Sequence, residues 1–303
     1  ERFLVEYCEA KNKITQHILK TVPRPKRYNF LKHISILIEE ISNRPVSIDK
    51  RGISSYLGNP KLKNQATALL QNEPHVKYKQ FGTRTGRLSS EPKTFPILTI
   101  NKELRSCILP TNDYFVELDF NGAEVRTLLG LLGKEQPAGD VHDYHLQEIF
   151  TSLTSRPEAK VAFFAWLYGS KQSTNPTAIK LLEKFYEKDK LLDKWWVDNK
   201  ITTPYGKEIE DVSRHHALNY LVQSTAAELT LKQALKINYV LSKYSGSSIA
   251  FLIHDAIVID MKKEDVHLLT MLEELMASTN FGKFGVNIKK GTSLGSLRKI
   301  TVG

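Results

Sequence analysis

The 303-residue chain contains 43 Lys and Arg against 33 Asp and Glu, which gives a net charge of +10 and an isoelectric point near 9.3. A chain of this size can bury one large core or two to three smaller ones, and its basic balance makes nucleic acid the first candidate partner. Its two cysteines, Cys8 and Cys107, argue against a disulfide framework or a thiolate zinc site, and no apolar run approaches the roughly 18 residues of a transmembrane helix.

The first third of the chain is predicted to be helical and then irregular. Apolar residues at helical spacing predict helices over residues 3–20 and 28–43, the first of which ends near Pro23. Residues 44–80 are polar and interrupted by Pro and Gly, so short helices are expected there. Residues 81–101 are rich in Gly, Thr, Arg, Ser and Pro, which indicates an irregular loop.

The rest of the chain is predicted to mix strands with helices. Residues 114–119 alternate enough to predict a strand, and two β-branched runs at 248–253 and 256–260 predict a hairpin around His254 and Asp255. Helices are predicted over residues 124–132, 140–150, 156–169, 178–199, 213–243 and 264–278.

The predicted helix at 156–169 has a face that is basic at one end and aromatic at the other. Four side chains follow one another at intervals of four residues and share this face: Arg156, Lys160, Phe164 and Tyr168. Such a face suits a triphosphate held by the two cations while a base stacks further along. The same pattern also fits an amphipathic core helix whose basic side chains extend to solvent.

Two carboxylates are notable for their positions at strand ends. Asp119 ends the strand at 114–119, and Asp255 lies at the tip of the predicted hairpin. Carboxylates that converge from separate strand ends hold two hard divalent cations about 3.5–4 Å apart in phosphoryl-transfer sites. Alternatively, Asp119 caps the following helix and Asp255 makes a turn. Their occurrence together with the basic helix face favours the metal site.

Six motifs follow one another along the chain in an order that is typical of one enzyme family. They are Thr85–Ser90, Asp119–Arg126, Asp140–Phe150, Arg156–Gly169, Asn219–Ala227 and His254–Asp255. Through these motifs, the chain from about residue 81 to 261 resembles the polymerase domain of the family A DNA polymerases. The resemblance implies an α+β fold with right-hand polymerase architecture, made of an antiparallel-sheet palm, helical fingers and a reduced helical thumb.

The resemblance also implies a domain organisation and an activity. Residues 1–80 are expected to form a thumb-derived helical region, 81–133 the first part of the palm, 134–213 shortened fingers and 214–303 the second part of the palm. The implied activity is template-directed addition of dNTPs to a primer 3′-hydroxyl. No proofreading exonuclease is expected in this chain, because it lacks an Asp-x-Glu pair of that type. The trimmed sequence suggests a phage or other mobile replicon, hence the cytoplasm of a bacterial host.

The implied chemistry is two-metal phosphoryl transfer. Asp119 and Asp255 would bind two Mg²⁺ ions, with Mn²⁺ as an alternative, and Lys160 would be the third catalytic residue because its ammonium can protonate the pyrophosphate leaving group. The family usually has a second acid after His-Asp, and that position is Ala256 here, so weaker metal affinity is expected. Asp260 is not expected to replace it, because an offset of five residues along a strand points to the opposite face.

The resemblance implies a set of residues that bind the incoming nucleotide: Arg156, Lys160, His142, Phe164, Tyr168 and Glu124. The two cations would hold the β- and γ-phosphates, with His142 as a further phosphate contact or, alternatively, a helix cap. Tyr168 would stack near the templating position. Phe164 would pack against the sugar, where a ring without a hydroxyl predicts poor dideoxynucleotide incorporation. Glu124 would lie under the sugar C2′ and exclude a ribose hydroxyl, which favours a DNA polymerase over the single-subunit RNA polymerases that share the fold.

The remaining implied contacts are with DNA and with other proteins. The primer-template residues would be Arg87, Asn219, Gln223 and His254, chiefly on the minor-groove side, where contacts check pairing without reading sequence. A clamp, helicase or primase is a candidate replisome partner, and an exposed Trp195–Trp196 pair is either a partner site or local packing. Two alternatives remain open: a polymerase-like primer-template binding module that has lost activity, and a relative of the single-subunit RNA polymerases.

Overall fold

The computed structural model describes residues 2–150, 153, 155–169 and 176–301. Its α-helices are α1 Arg2–Thr21, α2 Tyr28–Ser42, α3 Lys50–Ser55, α4 Lys63–Gln71, α5 Ala123–Leu131, α6 Val141–Glu148, α7 Arg156–Leu167, α8 Pro176–Tyr186, α9 Lys188–Trp195, α10 Arg214–Tyr244 and α11 Leu269–Ala277. Short 3₁₀ turns occur at Tyr56–Gly58, Glu103–Cys107 and Lys263–Leu268.

The strands are mostly short. They are β1 Ser47–Ile48, β2 Tyr78–Lys79, β3 Ser89–Ser90, β4 Ile108–Leu109, β5 Tyr114–Phe120, β6 Trp196–Val197, β7 Lys200–Thr202, β8 Glu208–Ile209, β9 Ser248–Ile253, β10 Ala256–Met261, β11 Ser278–Thr279, β12 Gly282–Lys283, β13 Val286–Gly291 and β14 Arg298–Ile300. The main sheet is antiparallel and has the order β14-β13-β5-β10-β9. Strand β5 therefore lies at its centre, bonded on both sides.

The buried apolar residues form two clusters. The sheet core contains the buried residues of β5, β9 and β10 together with helices α2, α4 and α11. The helical core contains the buried residues of α5 to α9 and the β7–β8 hairpin. Helix α10 joins them, because Ala217 to Val222 belong to the helical core and Ala226 to Leu241 to the sheet core. Helix α10 has 31 residues, and the two cores pack against successive parts of it. One continuous helix therefore sets the distance between the two cores.

The central elements agree with the sequence. The predicted α+β class is confirmed, as are the strand at 114–119, the hairpin around His254 and Asp255, and the long helix at 213–243. All six residues of β10 are buried, and its β-branched run from Ile257 to Ile259 suits a strand that is buried on both faces. Helix α1 has no buried residue. No helix in the described ranges is long and apolar enough to span a membrane.

Two predicted helices were wrong in detail. The helix predicted at 178–199 is broken by Glu187, whose φ of +43° is left-handed, and it gives way to β6 at Trp196. The Trp195–Trp196 pair was predicted to be exposed, but both residues are half-buried, and the Trp196 Nε1 donates to the Val212 carbonyl at 2.7 Å. Local packing therefore explains the pair. The helix predicted at 264–278 begins with a 3₁₀ turn and is α-helical only from Leu269.

Candidate active site

A cavity of about 490 Å³ lies between the main sheet and helix α7. Most of the residues singled out from the sequence line it: Arg87, Asp119, Glu124, His142, Arg156, Lys160, Phe164, Tyr168, His254 and Asp255. Asn219 and Gln223 are not part of the lining. Residues separated by up to 168 positions in the chain thus share one cavity, which is the arrangement expected of a ligand site.

Asp119 is held by the centre of the sheet. It lies near the end of β5, where its neighbours across the two ladders are Ala256 of β10 and Asn287 of β13. Since residues paired across antiparallel strands point to the same face, these three side chains share the face that borders the cavity. Because strands on both sides hydrogen-bond to the backbone of β5, the Asp119 backbone has little freedom to move.

Asp255 reaches the same cavity from a turn. It lies with His254 between β9 and β10, and His254 has a left-handed φ of +55° that tightens the turn. Because Asp255 precedes β10, the counting that excluded Asp260 was wrong: Asp260 lies four residues after Ala256 and shares its face. Asp260 is instead too far from Asp119 to replace the missing acid, because it pairs with Phe115 at the other end of β5. Its carboxylate accepts hydrogen bonds from the backbone N–H groups of residues 111 and 112.

The two aspartates carry negative charge that the protein does not fully offset. Burial, together with the neighbouring Asp255 carboxylate, raises the pKa of Asp119 to about 7, although Lys289 and Lys160 act in the opposite direction. Burial also raises the pKa of Asp255. A divalent cation between two such carboxylates would stabilise their ionised forms.

The donor set indicates which kind of cation fits. Within the described ranges, no group of three or more His, Cys, Asp and Glu side chains is arranged to hold a metal. Asp119 and Asp255 alone are therefore a partial ligand set of hard oxygens. Mg²⁺ fits such a set, because it binds through one or two carboxylates and completes its coordination with water and substrate phosphates.

Glu124 lies buried at the start of α5. The helix is entered through Gly122, whose φ of +69° is left-handed, and the Glu124 side chain is only about 8% exposed. Its carboxylate accepts a hydrogen bond from the Arg87 guanidinium and one from the Tyr168 hydroxyl at 3.0 Å. Burial raises the pKa of Glu124 despite these partners. The three side chains connect the loop at 81–101 to the end of α7.

Helix α7 presents the basic and aromatic face to the cavity. Its start is fixed by a capping box between Ser155 and Glu158. The rings of Phe164 and Tyr168 are stacked, with centroids 5.5 Å apart and planes at 26°. Burial and the Glu124 carboxylate raise the pKa of Tyr168 to about 12, so its hydroxyl remains a donor at neutral pH.

Arg156 is bound by a residue to which the sequence analysis gave no role. Its Nε donates to one oxygen of Asp140 at 2.9 Å and its terminal nitrogen to the other at 2.6 Å. Asp140 also caps α6 through the backbone N–H groups of His142 and Asp143. Burial alone would raise the pKa of Asp140, but these hydrogen bonds hold it well below its usual range. An aspartate at a predicted helix start is a recognisable sign of a helix cap. Nothing in the local sequence indicates that Asp140 pairs with Arg156.

His142 does not cap its helix, because Asp140 performs that role. The His142 ring packs against the rings of His145, Phe163 and Phe164. It is only 3% exposed, and its Nδ1 is buried without a hydrogen-bond partner among the residues that the structure describes. Burial lowers the pKa of His142 to about 4, so the ring is neutral at pH 7. As a phosphate ligand it would therefore act as a hydrogen-bond donor rather than as a cation.

Two further residues complete the surroundings of the site. Arg126 is fully buried and donates to the carbonyl oxygens of Asn121, Pro137 and Gly139 at 2.7–2.8 Å, which fixes the loop that leads to Asp140. Asn287 lines the cavity from β13, a strand that the sequence analysis did not predict. On α10, the side chain of Gln223 reaches the Tyr168 hydroxyl. The Oδ1 of the half-buried Asn219 has no hydrogen-bond partner in the described part of the chain.

No protein-family model and no curated protein sequence matches the chain. Among solved structures, it is similar to the POL domain of Pol1 from M. smegmatis in complex with DNA primer-template and dNTP, with a TM-score of 0.64 and 15% sequence identity. The alignment covers 89% of this chain and 66% of the other, so this chain spans about two thirds of the length of that neighbour. The similarity shows the fold: the described elements have the fold of a polymerase domain, as the sequence predicted, without distinguishing a subfamily.

Proposed function

We propose that this protein is a template-directed DNA polymerase that adds dNTPs to a primer 3′-hydroxyl. One observation carries the proposal: a single cavity is lined by two carboxylates on the sheet side and by two cations and two stacked rings on α7. Phosphoryl transfer needs metal-binding oxygens next to phosphate-binding cations. The rings supply the flat surface that a nucleobase and sugar require.

The fold supports the same proposal. The M. smegmatis neighbour was solved with DNA primer-template and dNTP. This chain has the same fold and a cavity of compatible chemistry, so we infer the same classes of partner. The two hydrophobic cores support a division into palm and fingers, but the change from one core to the other occurs near Ala123 and again near Ala226, so the cores favour wider fingers than the predicted range 134–213. Residues 1–80 would be derived from a thumb.

Asp119 and Asp255 would hold the Mg²⁺ ions. When bound, such ions activate the attacking hydroxyl and neutralise the charge that develops on the phosphoryl group. The sheet contributes position: the ladders on both sides of β5 fix the Asp119 backbone, and the tight turn fixes that of Asp255. Pre-organised carboxylates keep the reacting groups aligned without reorganisation during the reaction.

Arg156 and Lys160 would bind the β- and γ-phosphates. Lys160 lines the same cavity as Asp119 and favours the ionised form of that carboxyl, which supports a position for the Lys160 ammonium between the proposed metal and phosphate positions. From there it would donate a proton to the leaving pyrophosphate. Arg156 would have to exchange Asp140 for phosphate oxygens, and a guanidinium makes the same two-pronged contact with either anion.

Glu124 would select deoxyribonucleotides. Its buried carboxylate lies under Tyr168, near the position of the proposed nucleotide sugar, and its contacts with Arg87 and Tyr168 restrict its movement. A fixed carboxylate excludes a 2′-hydroxyl by its volume. The remaining contacts with primer-template DNA would come from Arg87 and His254 in the cavity and from Asn219 and Gln223 on α10.

Primer extension tests the proposal. The unmodified chain, with Mg²⁺ and four dNTPs, should extend a primer on its template, and Asp255→Ala should abolish extension. Asp193→Ala is a matched control, because Asp193 is an exposed carboxylate on α9. Tight duplex binding without extension would instead favour a binding module. Extension with rNTPs in preference to dNTPs would favour an RNA polymerase.

A further inference from the structure

A third carboxylate lies next to the proposed metal site. Glu117 is two residues before Asp119 on β5, so both side chains point to the same face of the sheet. Across the ladder, Ala256 pairs with Asp119 and Val258 pairs with Glu117. Glu117 therefore lies on the same face as Ala256 and two residue pairs further along the ladder. Ala256 occupies the position at which the family usually has its second acid. It is also buried, with 8% of its surface exposed.

Glu117 is paired with a lysine from the opposite neighbour. Lys289 lies directly across from it on β13, and the Lys289 Nζ is 2.5 Å from the Glu117 Oε1. The effects of this pair extend to the site itself. Asn287 pairs with Asp119, and Lys289 pairs with Glu117 two residues along the same two strands, so both charged side chains lie on the sheet face of Asp119. Both members of the pair therefore act on the proposed metal ligands electrostatically.

Stability does not explain why this pair occurs in the sheet. Burying the Glu117 carboxylate costs free energy that its attraction to the partly exposed Lys289 ammonium often does not recover, and an apolar pair of similar volume is often as good or better. The rest of β5 is rich in apolar residues, and Val258 on the other side of Glu117 is fully buried. A charged pair at this one position points to a role in the charge of the adjacent site.

We propose that Glu117 and Lys289 set the charge of the metal site, as positioning residues that need not touch the ion; this rests on the proposed function. The two aspartates supply two negative charges. Glu117 is a third carboxylate beside them, and the Lys289 ammonium neutralises its charge. The site thereby keeps the affinity of a two-carboxylate site despite the acid beside it. Loss of Lys289 makes the site more negative, and loss of Glu117 makes it less negative.

The test is a double-mutant cycle that measures Mn²⁺ binding to the full chain, with free Mn²⁺ counted by electron paramagnetic resonance. Lys289→Gln should tighten binding and Glu117→Gln should weaken it, each by roughly five- to tenfold for one charge beside a divalent ion. The double variant should return to within about twofold of the unmodified chain. Lys290→Gln is the matched control, because Lys290 lies over the Tyr114 ring on the other face of the strand and should change little.

Other outcomes separate the pair from general effects. Equal shifts in Lys289→Gln and Lys290→Gln, or shifts of the same sign in Glu117→Gln and Lys289→Gln, would overturn the inference. If Lys289→Gln does not fold, Lys289→Arg keeps the charge and should bind Mn²⁺ as the unmodified chain does, while Lys289→Met should bind it more tightly. The opposite ranking would also overturn the inference.

The inference and the proposed function can fail separately. Asp119→Asn identifies the site, because it should remove most Mn²⁺ binding. If the cycle behaves as expected but the unmodified chain extends no primer, the polymerase proposal fails and the charge control stands. If primers are extended normally and the cycle shows no change, only the charge control fails. If Asp119→Asn does not alter Mn²⁺ binding, both are wrong.

Discussion

The two sides of the cavity bury opposite kinds of ionisable group. On the sheet side, burial raises the pKa of Asp255 and, together with the charge of Asp255, that of Asp119, the latter to about 7. On the helical side, burial lowers the pKa of His142 to about 4 and that of His145 to about 3. Burial disfavours charge in both cases, so carboxyls and imidazoles respond in opposite directions.

The difference separates a side arranged for charge from a side arranged for packing. The aspartates repel each other, and a cation between them would remove that cost. The imidazoles instead lie among the aromatic rings of the helical core, where His145 stacks on Phe163 and its Nε2 is 2.5 Å from the Tyr186 hydroxyl. No added cation would be favourable there, close to Arg156 and Lys160. The neighbouring negative charges of the proposed metal site therefore cost stability on the sheet side, whereas the packed neutral rings stabilise the helical side.

The largest expected effect is that of Asp119→Asn. Primer extension should fall by roughly three orders of magnitude or more, because a metal-binding carboxylate is lost. The metal-free protein should nevertheless become more stable by about 1–2 kcal/mol, because a buried charge beside another carboxylate is removed. Steady-state extension and urea unfolding in EDTA measure the two effects. A variant that keeps a large part of its activity, or that unfolds more easily, would contradict the contrast between the two sides.

Glu124→Ala should have the next largest effect. The ratio of dNTP to rNTP incorporation should fall by roughly a hundredfold, because about 3 kcal/mol of steric exclusion is removed. Single-nucleotide incorporation with matched dNTP and rNTP measures this ratio. Glu124→Gln is the control, since it removes the charge but keeps the volume and should preserve most of the discrimination. An unchanged ratio in Glu124→Ala would show that the residue does not exclude the 2′-hydroxyl.

The sequence was most informative where the determining pattern is local. The β-branched runs around His254 and Asp255 predicted β9 and β10, and the four-residue spacing in 156–169 predicted the face of α7. The resemblance added the order of the motifs. Together they predicted the fold class, and ten of the twelve site residues that they indicated line the cavity. Whether those residues perform the roles implied for them stays a prediction.

The sequence was least informative where the partner is distant. The apolar-polar alternation of β13 covers only Val286 to Lys289 and is lost at Lys290, which is too short to identify the strand. Only pairing with β5 places Asn287 and Lys289 beside Asp119. The pairing of Arg156 with Asp140 links two helices and has no local signal. The same holds for the buried Arg126, because an arginine in a helix is usually exposed. Tertiary contacts decide all three.

The helical side should lose stability in acid through His145. The unfolded imidazole titrates near pH 6.5 and the folded one near 3, so between these values only the unfolded state binds the proton. Stability therefore rises with pH in this window and falls by about 1.4 kcal/mol for each unit of acidification below 6.5. His145→Gln should reduce the slope in urea unfolding between pH 5 and 6.5 by about 1.4 kcal/mol per pH unit, while His142, whose pKa is also lowered, keeps its own contribution. His17→Gln, a change at an exposed residue of α1, should leave it unaltered, and an equal slope in both variants would refute the assignment.

The smallest expected effect concerns the ion pair that occupies Arg156. Asp140→Asn keeps an N-cap for α6 but removes the negative charge that competes with phosphate for the guanidinium. The KM for dNTP in single-nucleotide incorporation should fall by roughly two- to fivefold, because a half-exposed pair contributes only about 0.5–1 kcal/mol. Asp143→Asn is the control, because it removes the same charge one helical turn further along. Among the described contacts Asp143 has no hydrogen bond to Arg156, so its effect on the KM should be smaller. An increased KM in Asp140→Asn would mean that the carboxylate positions Arg156 for the nucleotide rather than competing with it.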